Sequence, residues 1–256
     1  MGDRYVQYAV ESGFATITLD SPHNRNALSS KLVTELLDGL QAAEDDPEVR
    51  GIVLTHTGGT FCAGADLKEA VDADPAAAAD KRTRWMIDVL RLLIAVPKPV
   101  VAVVDGNVRA GGMGIVAGCD VVVAGTQSSF ALTEARLGLA PFMISLTLLP
   151  RLAPRAASRY FMTGEKFDAA TAADIGLITV ATEDPHATAA QLCAELRKSS
   201  PQGLAESKRL VNAAVLAEFD RSAEELAARS ATFFGSAEVR EGMMAFFQKR
   251  PPSWAQ

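Results

Sequence analysis

The segment Val100-Val101-Ala102-Val103-Val104 is apolar at every position, and Val121-Val122-Val123 repeats the pattern a little further on. A strand with one wet face alternates apolar with polar side chains. An unbroken run needs cover on both faces, which points to parallel strands sandwiched between layers of helix. Ile52-Val53-Leu54 is a third short run of this kind. The chain is therefore expected to form an α/β body.

Other local patterns fill in that plan. Tyr5–Val10 and Phe14–Leu19 alternate in character and flank Glu11-Ser12-Gly13, which predicts a hairpin. Ser29 or Ser30 can cap a helix in which Leu32, Val33, Leu36, Leu37 and Leu40 recur at helical spacing as far as Pro47. Further helices are expected over Arg82–Val96, stopped by Pro97 and Pro99, and over Gly111–Cys119. The Ala- and Asp-rich stretch Asp72–Asp80 has little to bury and predicts a mobile loop or a marginal helix. Beyond about Pro185 strand signals vanish, and Ala187–Lys198, Gln202–Glu218, Ser222–Phe233 and Ala237–Gln248 all show helical patterns. Met243, Met244, Phe246 and Phe247 exceed what a lone surface helix needs. Burial within the chain and packing against another subunit both account for them.

Composition narrows the partners. A formal net charge of −6 over 256 residues offers no basic stripe for a nucleic-acid backbone. Cys62, Cys119 and Cys193 are far apart, lack metal-ligand spacing and suit a reducing compartment, so no metal site is expected. The first residues lack the apolar run of a signal peptide and no segment approaches a membrane span, so the expected location is cytoplasmic.

Two glycine-rich turns carry the chemical signal. The first, Phe61-Cys62-Ala63-Gly64-Ala65-Asp66, follows a strand; its small residues let a ligand approach the main chain, and Asp66 can cap a helix starting at Leu67. The second, Asp105-Gly106-Asn107-Val108-Arg109-Ala110-Gly111-Gly112-Met113-Gly114, follows Val100–Val104 and opens a helix, where free N–H groups favour negative charge. A dinucleotide fingerprint is disfavoured because these glycines come several residues after the strand. A pair of such turns, one N–H from each, suits a developing oxyanion. A tight turn without a ligand is the plainer alternative for each taken singly. No Gly-x-Ser-x-Gly elbow is present, and His56 at a strand end is expected to be structural.

In order and spacing these motifs resemble the crotonase superfamily, the enoyl-CoA hydratase/isomerase family. The likeness runs over nearly the whole chain: Pro22–Leu28, Phe61–Glu69, Asp105–Asp120, Phe130–Gly138, Thr163-Gly164-Glu165, the region from Leu177, and Glu241–Phe246. It implies a spiral of ββα units over residues 1–195 and a C-terminal helical trimerisation region over 196–256, assembled as a homotrimer or a dimer of trimers. It implies an acyl-CoA substrate, with coenzyme A arriving as part of that substrate and no permanently bound cofactor. Motif matching assigns the oxyanion N–H groups to Ala63 and Gly111. It puts coenzyme A along Arg25, Ala27, Ala65, Asp66, Leu67 and Lys68, with Phe246 and Lys249 supplied by a neighbouring subunit.

Family hydratases typically carry two glutamates. The first of those positions is Gly114 here, which cannot move a proton; the second is Glu134, with apolar or small flanks that favour a raised pKa. One carboxylate suits a double-bond isomerase. The arrangement around Arg109–Gly114 and Ala140–Ser145 is also similar to methylglutaconyl-CoA-type hydratases, which favours hydration of a 2-enoyl-CoA, with isomerisation or acyl-CoA binding without catalysis as alternatives. Met113, Phe142 and Met143 are expected either to shape an acyl pocket or to fill core.

Overall fold

A computed structural model of the chain describes residues 4–66, 69 and 75–255, with the side chains of 75–80 and 82 also outside the description. The chain opens with a hairpin, β1 (Val6–Glu11) and β2 (Phe14–Leu19). Its two-residue turn puts Ser12 and Gly13 at φ 51° and 78°, the left-handed pair that matches strand twist. Then follow α1 (Ser30–Asp45), β3 (Gly51–His56), β4 (Thr60–Cys62), α2 (Pro75–Ala95), β5 (Val100–Val104), β6 (Asn107–Arg109) and α3 (Gly111–Gly118). Next come β7 (Val121–Gly125), β8 (Ser129–Ala131), α4 (Phe142–Leu148), α5 (Pro154–Thr163), β9 (Phe167–Asp168) and α6 (Ala169–Asp174). The chain closes with β10 (Val180–Thr182), α7 (Pro185–Leu196), α8 (Pro201–Phe234) and α9 (Ala237–Phe247).

Two sheets result. The larger has the order β1-β2-β3-β5-β7-β10, parallel from β2 onward; the smaller has the order β4-β6-β8-β9, with β9 antiparallel to β8. Each turn of the coil lays one strand in the first sheet and the next in the second, then returns through a helix. β3-β4-α2, β5-β6-α3 and β7-β8-α4 are such ββα units, as the family resemblance implies.

The valine run behaves as its pattern demands. Val100, Ala102 and Val104 join the main core with α1 and α2 residues such as Leu36, Leu90 and Leu93. Val101 and Val103 face the other way, into a cluster with Phe14, Val123, Ala189 and Cys193, where α7 supplies the cover. Ser29 caps α1, its Oγ accepting from Leu32 N–H at 3.3 Å.

Two helix boundaries need correction. α2 begins at Pro75 rather than at Arg82, so the described part of the Ala-rich stretch takes the helical of its two alternatives; residues 72–74 lie outside the described set. The two expected helices over Gln202–Glu218 and Ser222–Phe233 are one, α8. Ser222 does not cap a new helix; its Oγ donates to Glu218 Oε1 one turn back at 2.5 Å. The buried positions Val215, Phe219, Ala223 and Ala227 run through the junction in steps of one turn, so packing holds the helix unbroken.

α8 is also locked by a buried ion pair. Lys208 Nζ lies 2.7 Å from Asp120 Oδ2 and donates to the carbonyls of Leu93 (2.7 Å) and Lys98 (3.0 Å). Asp120 accepts in addition from Val100 N–H at 2.8 Å and Asn212 Nδ2 at 3.2 Å. Every proton of the ammonium has an acceptor, the condition for tolerating a buried charge. The knot ties α8 to the end of α2 and to the loops around β5 and β7. Among the described residues, no helix is long and apolar enough to cross a membrane.

Candidate active site

β4, β6 and β8 are parallel neighbours, and each releases its chain at the same edge of the small sheet. Ala63 follows β4 directly, Gly111 lies just beyond β6, and Glu134 follows β8 after Leu132 and Thr133. The carboxyl ends of parallel strands are where such sheets gather ligand-binding groups. Three residues far apart in sequence therefore converge through strand order.

The two glycine turns meet main chain to main chain. A Cβ on Gly64 would stand 2.8 Å from Ala110 Cβ and 3.8 Å from Gly111 N, and one on Gly112 would stand 2.6 Å from Cys62 Cβ. Gly64 sits at φ 90°, where a side chain is strained. Ala110 sits at φ 48° and ψ −119°, an unusual conformation for a residue with a side chain. Such strain persists only where surroundings enforce it; here Ala110 N–H is held by Ala131 O at 3.1 Å, the end of β8. The chain at Leu28 runs alongside, Leu28 N–H donating to Gly64 O at 2.8 Å and Asp66 N–H to Leu28 O at 3.3 Å. Among the described residues, the N–H groups of Ala63 and Gly111 have no internal acceptor. Two preorganised, unsatisfied donors side by side can stabilise an anionic oxygen.

Around these donors the residues expected to hold coenzyme A fall into three groups. Arg25 is exposed at φ 60°, Ala27 is buried, and Ala65 is exposed beside Leu28, its parallel bridge partner. Asp66, expected to cap a helix, accepts from Asn24 Nδ2 at 3.1 Å; Leu67 and Lys68 lie outside the described residues. Phe246 and Lys249 are exposed at the end of α9. Among the described residues, no hydrogen bond or ring contact links either to Arg25 or to the glycine turns.

Glu134 opens a short 3-10 turn, Glu134–Leu137. Its Oε2 is buried and, among the described residues, has no hydrogen-bond partner. Burial lifts its pKa to about 7, against a weaker opposing hydrogen bond from its own N–H. A carboxyl that titrates near neutrality is suited to giving and taking protons. Gly114, by contrast, has no room for a side chain. A Cβ there would stand 2.3 Å from Ile144 Cγ2 and 2.7 Å from Ile144 Cβ, and Thr147 Oγ1 holds the Gly114 carbonyl at 2.9 Å. α4 occupies the space into which a second carboxylate would project.

Of the bulky residues, Met113 belongs to the main core. Phe142 and Met143 form a satellite cluster with Ala227, against which Met86, Ile87, Ala140 and Leu226 pack. Met86 also reaches the glycine turn: its Cε and Leu28 Cδ1 would stand 2.9 Å and 2.7 Å from a Cβ on Gly111. Of this apolar wall Phe142 and Met143 are legible in the sequence, whereas Met86 looks like an ordinary core position in a helix. Asn26 was passed over as well. It is fully buried at φ 53°, its Oδ1 accepts from Ser21 N–H at 2.7 Å, and its Nδ2 donates to Thr57 O (3.0 Å) and Thr60 O (2.7 Å). It staples the segment carrying Arg25 to the loop entering β4.

Other reactive groups are engaged elsewhere. His56 Nε2 accepts from Asp105 N–H at 3.0 Å, its ring meets Phe61 edge-on, and burial lowers its pKa, a structural role as expected. Burial pushes the Cys62 and Cys119 thiols up to about 12, far from a reactive thiolate. Among the described residues, no group of three His, Cys, Asp or Glu is placed to hold a metal.

Comparison with known proteins leads to the same place. Residues 9–256 match the family model described as enoyl-CoA hydratase/isomerase. An enoyl-CoA hydratase from Mycobacterium avium superimposes with a TM-score of 0.92 at 54% identity, over 99% of this chain and 100% of that one. A carnitinyl-CoA hydratase from the same organism gives 0.87 at 28% identity, over 99% of each chain. The 1,2-epoxyphenylacetyl-CoA isomerase of Escherichia coli (strain K12) is 32% identical over an alignment that covers 96% of each chain. With the coil of ββα units, the paired glycine turns and a match across almost its full length, the chain belongs to the enoyl-CoA hydratase/isomerase family.

Proposed function

We propose that the protein hydrates a 2-enoyl-CoA thioester, using Glu134 as its only acid/base and the N–H groups of Ala63 and Gly111 as an oxyanion hole. Water adds at C3, the thioester oxygen takes up charge as an enolate between the two donors, and Glu134 accepts the water proton. The resulting carboxylic acid returns that proton to C2, so the net change is one added water. The buried Oε2 of Glu134, unpartnered among the described residues and on the loop after β8, the strand paired with the one that leads to Gly111, carries this reading. Coenzyme A enters only as part of the substrate, with Arg25, Ala27, Ala65, Asp66, Leu67 and Lys68 flanking it. Phe246 and Lys249 reach a neighbouring subunit's ligand in a homotrimer or dimer of trimers built through residues 196–256.

Isomerisation is the second reading, favoured by the filled space at Gly114, since one carboxyl suffices to move a proton between two carbons. An acyl-CoA panel followed by mass spectrometry separates the two, because hydration adds the mass of water and isomerisation adds none. Glu134→Gln is expected to lower turnover by about 10²–10⁴-fold with binding retained. Wild-type turnover in that variant removes the role given to Glu134. Tight binding without turnover of any substrate would leave a binding protein.

A further inference from the structure

The turn that carries Glu134 is held from two sides by backbone contact. On one side, α9 lies so close that a Cβ on Gly242 would stand 2.5 Å from Leu137 O and 2.6 Å from Leu137 C. From the turn, a Cβ on Gly138 would stand 2.8 Å from Glu238 C and 3.0 Å from Val239 N. Gly138 is at φ 77° and closes the turn, its N–H reaching back to Glu134 O and Ala135 O. On the other side, Arg136 Nε donates to Thr163 O at 2.9 Å at the end of α5, and a Cβ on Gly164 would stand 3.0 Å from Leu132 O. Val239, Gly242 and Ala245 form the buried face of α9.

The geometry points to Gly242 as a positioning residue: by seating α9 directly on Leu137, it fixes where the Glu134 carboxyl lies and keeps water from it. The inference rests on Glu134 being the proton-moving group, but it concerns a different element of the chain. The charged groups on the packed elements are occupied or exposed. Arg136 holds Thr163, Arg159 pairs with Glu165, Glu241 pairs with Arg250, Arg240 donates to Gly235 O, and Glu238 and Arg155 are exposed. None of them enters the Glu134 shift, which comes from burial, so the packing itself is what can change it.

Gly242→Ala would force α9 away from Leu137. Gly235→Ala is the matched control, because a Cβ there meets only Thr232 O at 3.6 Å, an ordinary contact. Titration of the Glu134 carboxyl by difference infrared spectroscopy, with Glu134→Gln identifying its band, reads the site without substrate. In Gly242→Ala the midpoint is expected to fall by about one unit or more, with kcat down about tenfold and KM little changed. Gly235→Ala is expected to titrate and turn over as wild type. If Gly242→Ala does not fold, Val239→Ala loosens the same contact by truncation, with a smaller shift in the same direction. An unchanged midpoint in the folded variant, or an equal shift in Gly235→Ala, overturns the positioning role. Failure of the acid/base role shows separately, as retained turnover in Glu134→Gln.

Discussion

Glu134 favours its protonated form because burial deprives the ionised carboxylate of water, and the hydrogen bond from its own N–H offsets only part of that cost. The unfolded chain has no such penalty and ionises near 4.5, while the folded one ionises near 7. Between those values the native state binds more protons than the unfolded state, so this group lowers stability as pH rises through the interval. The loss is complete above about 7 and absent below about 4.5. Glu134→Gln, which keeps the shape without the charge, is expected to be more stable than wild type at pH 8 by roughly 3 kcal/mol. The advantage should fade toward pH 4.5 in denaturant titrations at several pH values, and a constant difference across that range would contradict it. The sequence made Glu134 legible through its apolar flanks, but Gly114 legible only as a missing acid. Its physical reason, Ile144 in the same space, depends on α4 packing against α3 and has no local trace.

At the scale of elements, two-sided burial could be read from Val100–Val104 because the pattern is a property of the strand itself. The extent of α8 could not, because nothing between Glu218 and Ser222 forbids either continuation or a break, and tertiary packing of Phe219 and Ala223 decides. The lock at Lys208 is likewise invisible in sequence, where a lysine in an amphipathic helix suggests solvent. Its pKa is lowered, with burial the main cause and Asp120 opposing it. Lys208→Met removes one partner of a buried pair and leaves Asp120 with Val100 N–H and Asn212. The expected loss is roughly 3–5 kcal/mol in chemical denaturation. A change within error would mean that the carboxylate is satisfied without the ammonium.

For the whole molecule, the apolar residues at the end of the chain are mostly uncovered. Met243 is partly buried, while Met244, Phe246 and Phe247 stand about half exposed, as does Trp254 just beyond. On α8, Leu210 and Val211 are about two-thirds exposed or more. Surface of this kind is costly to leave wet and suits a partner. Sedimentation of the purified protein is expected to show three or six copies; a monomer throughout a micromolar concentration range would rule out the proposed assembly. Under the proposed roles β4, β6 and β8 divide the labour: holding the carbonyl falls to backbone from the first two strands, and moving the proton falls to a side chain delivered by the third. Backbone donors survive almost any substitution that keeps the fold, whereas the third loop can be rewritten without disturbing the grip. A scaffold divided in this way can change its reaction one loop at a time and never lose hold of its substrate.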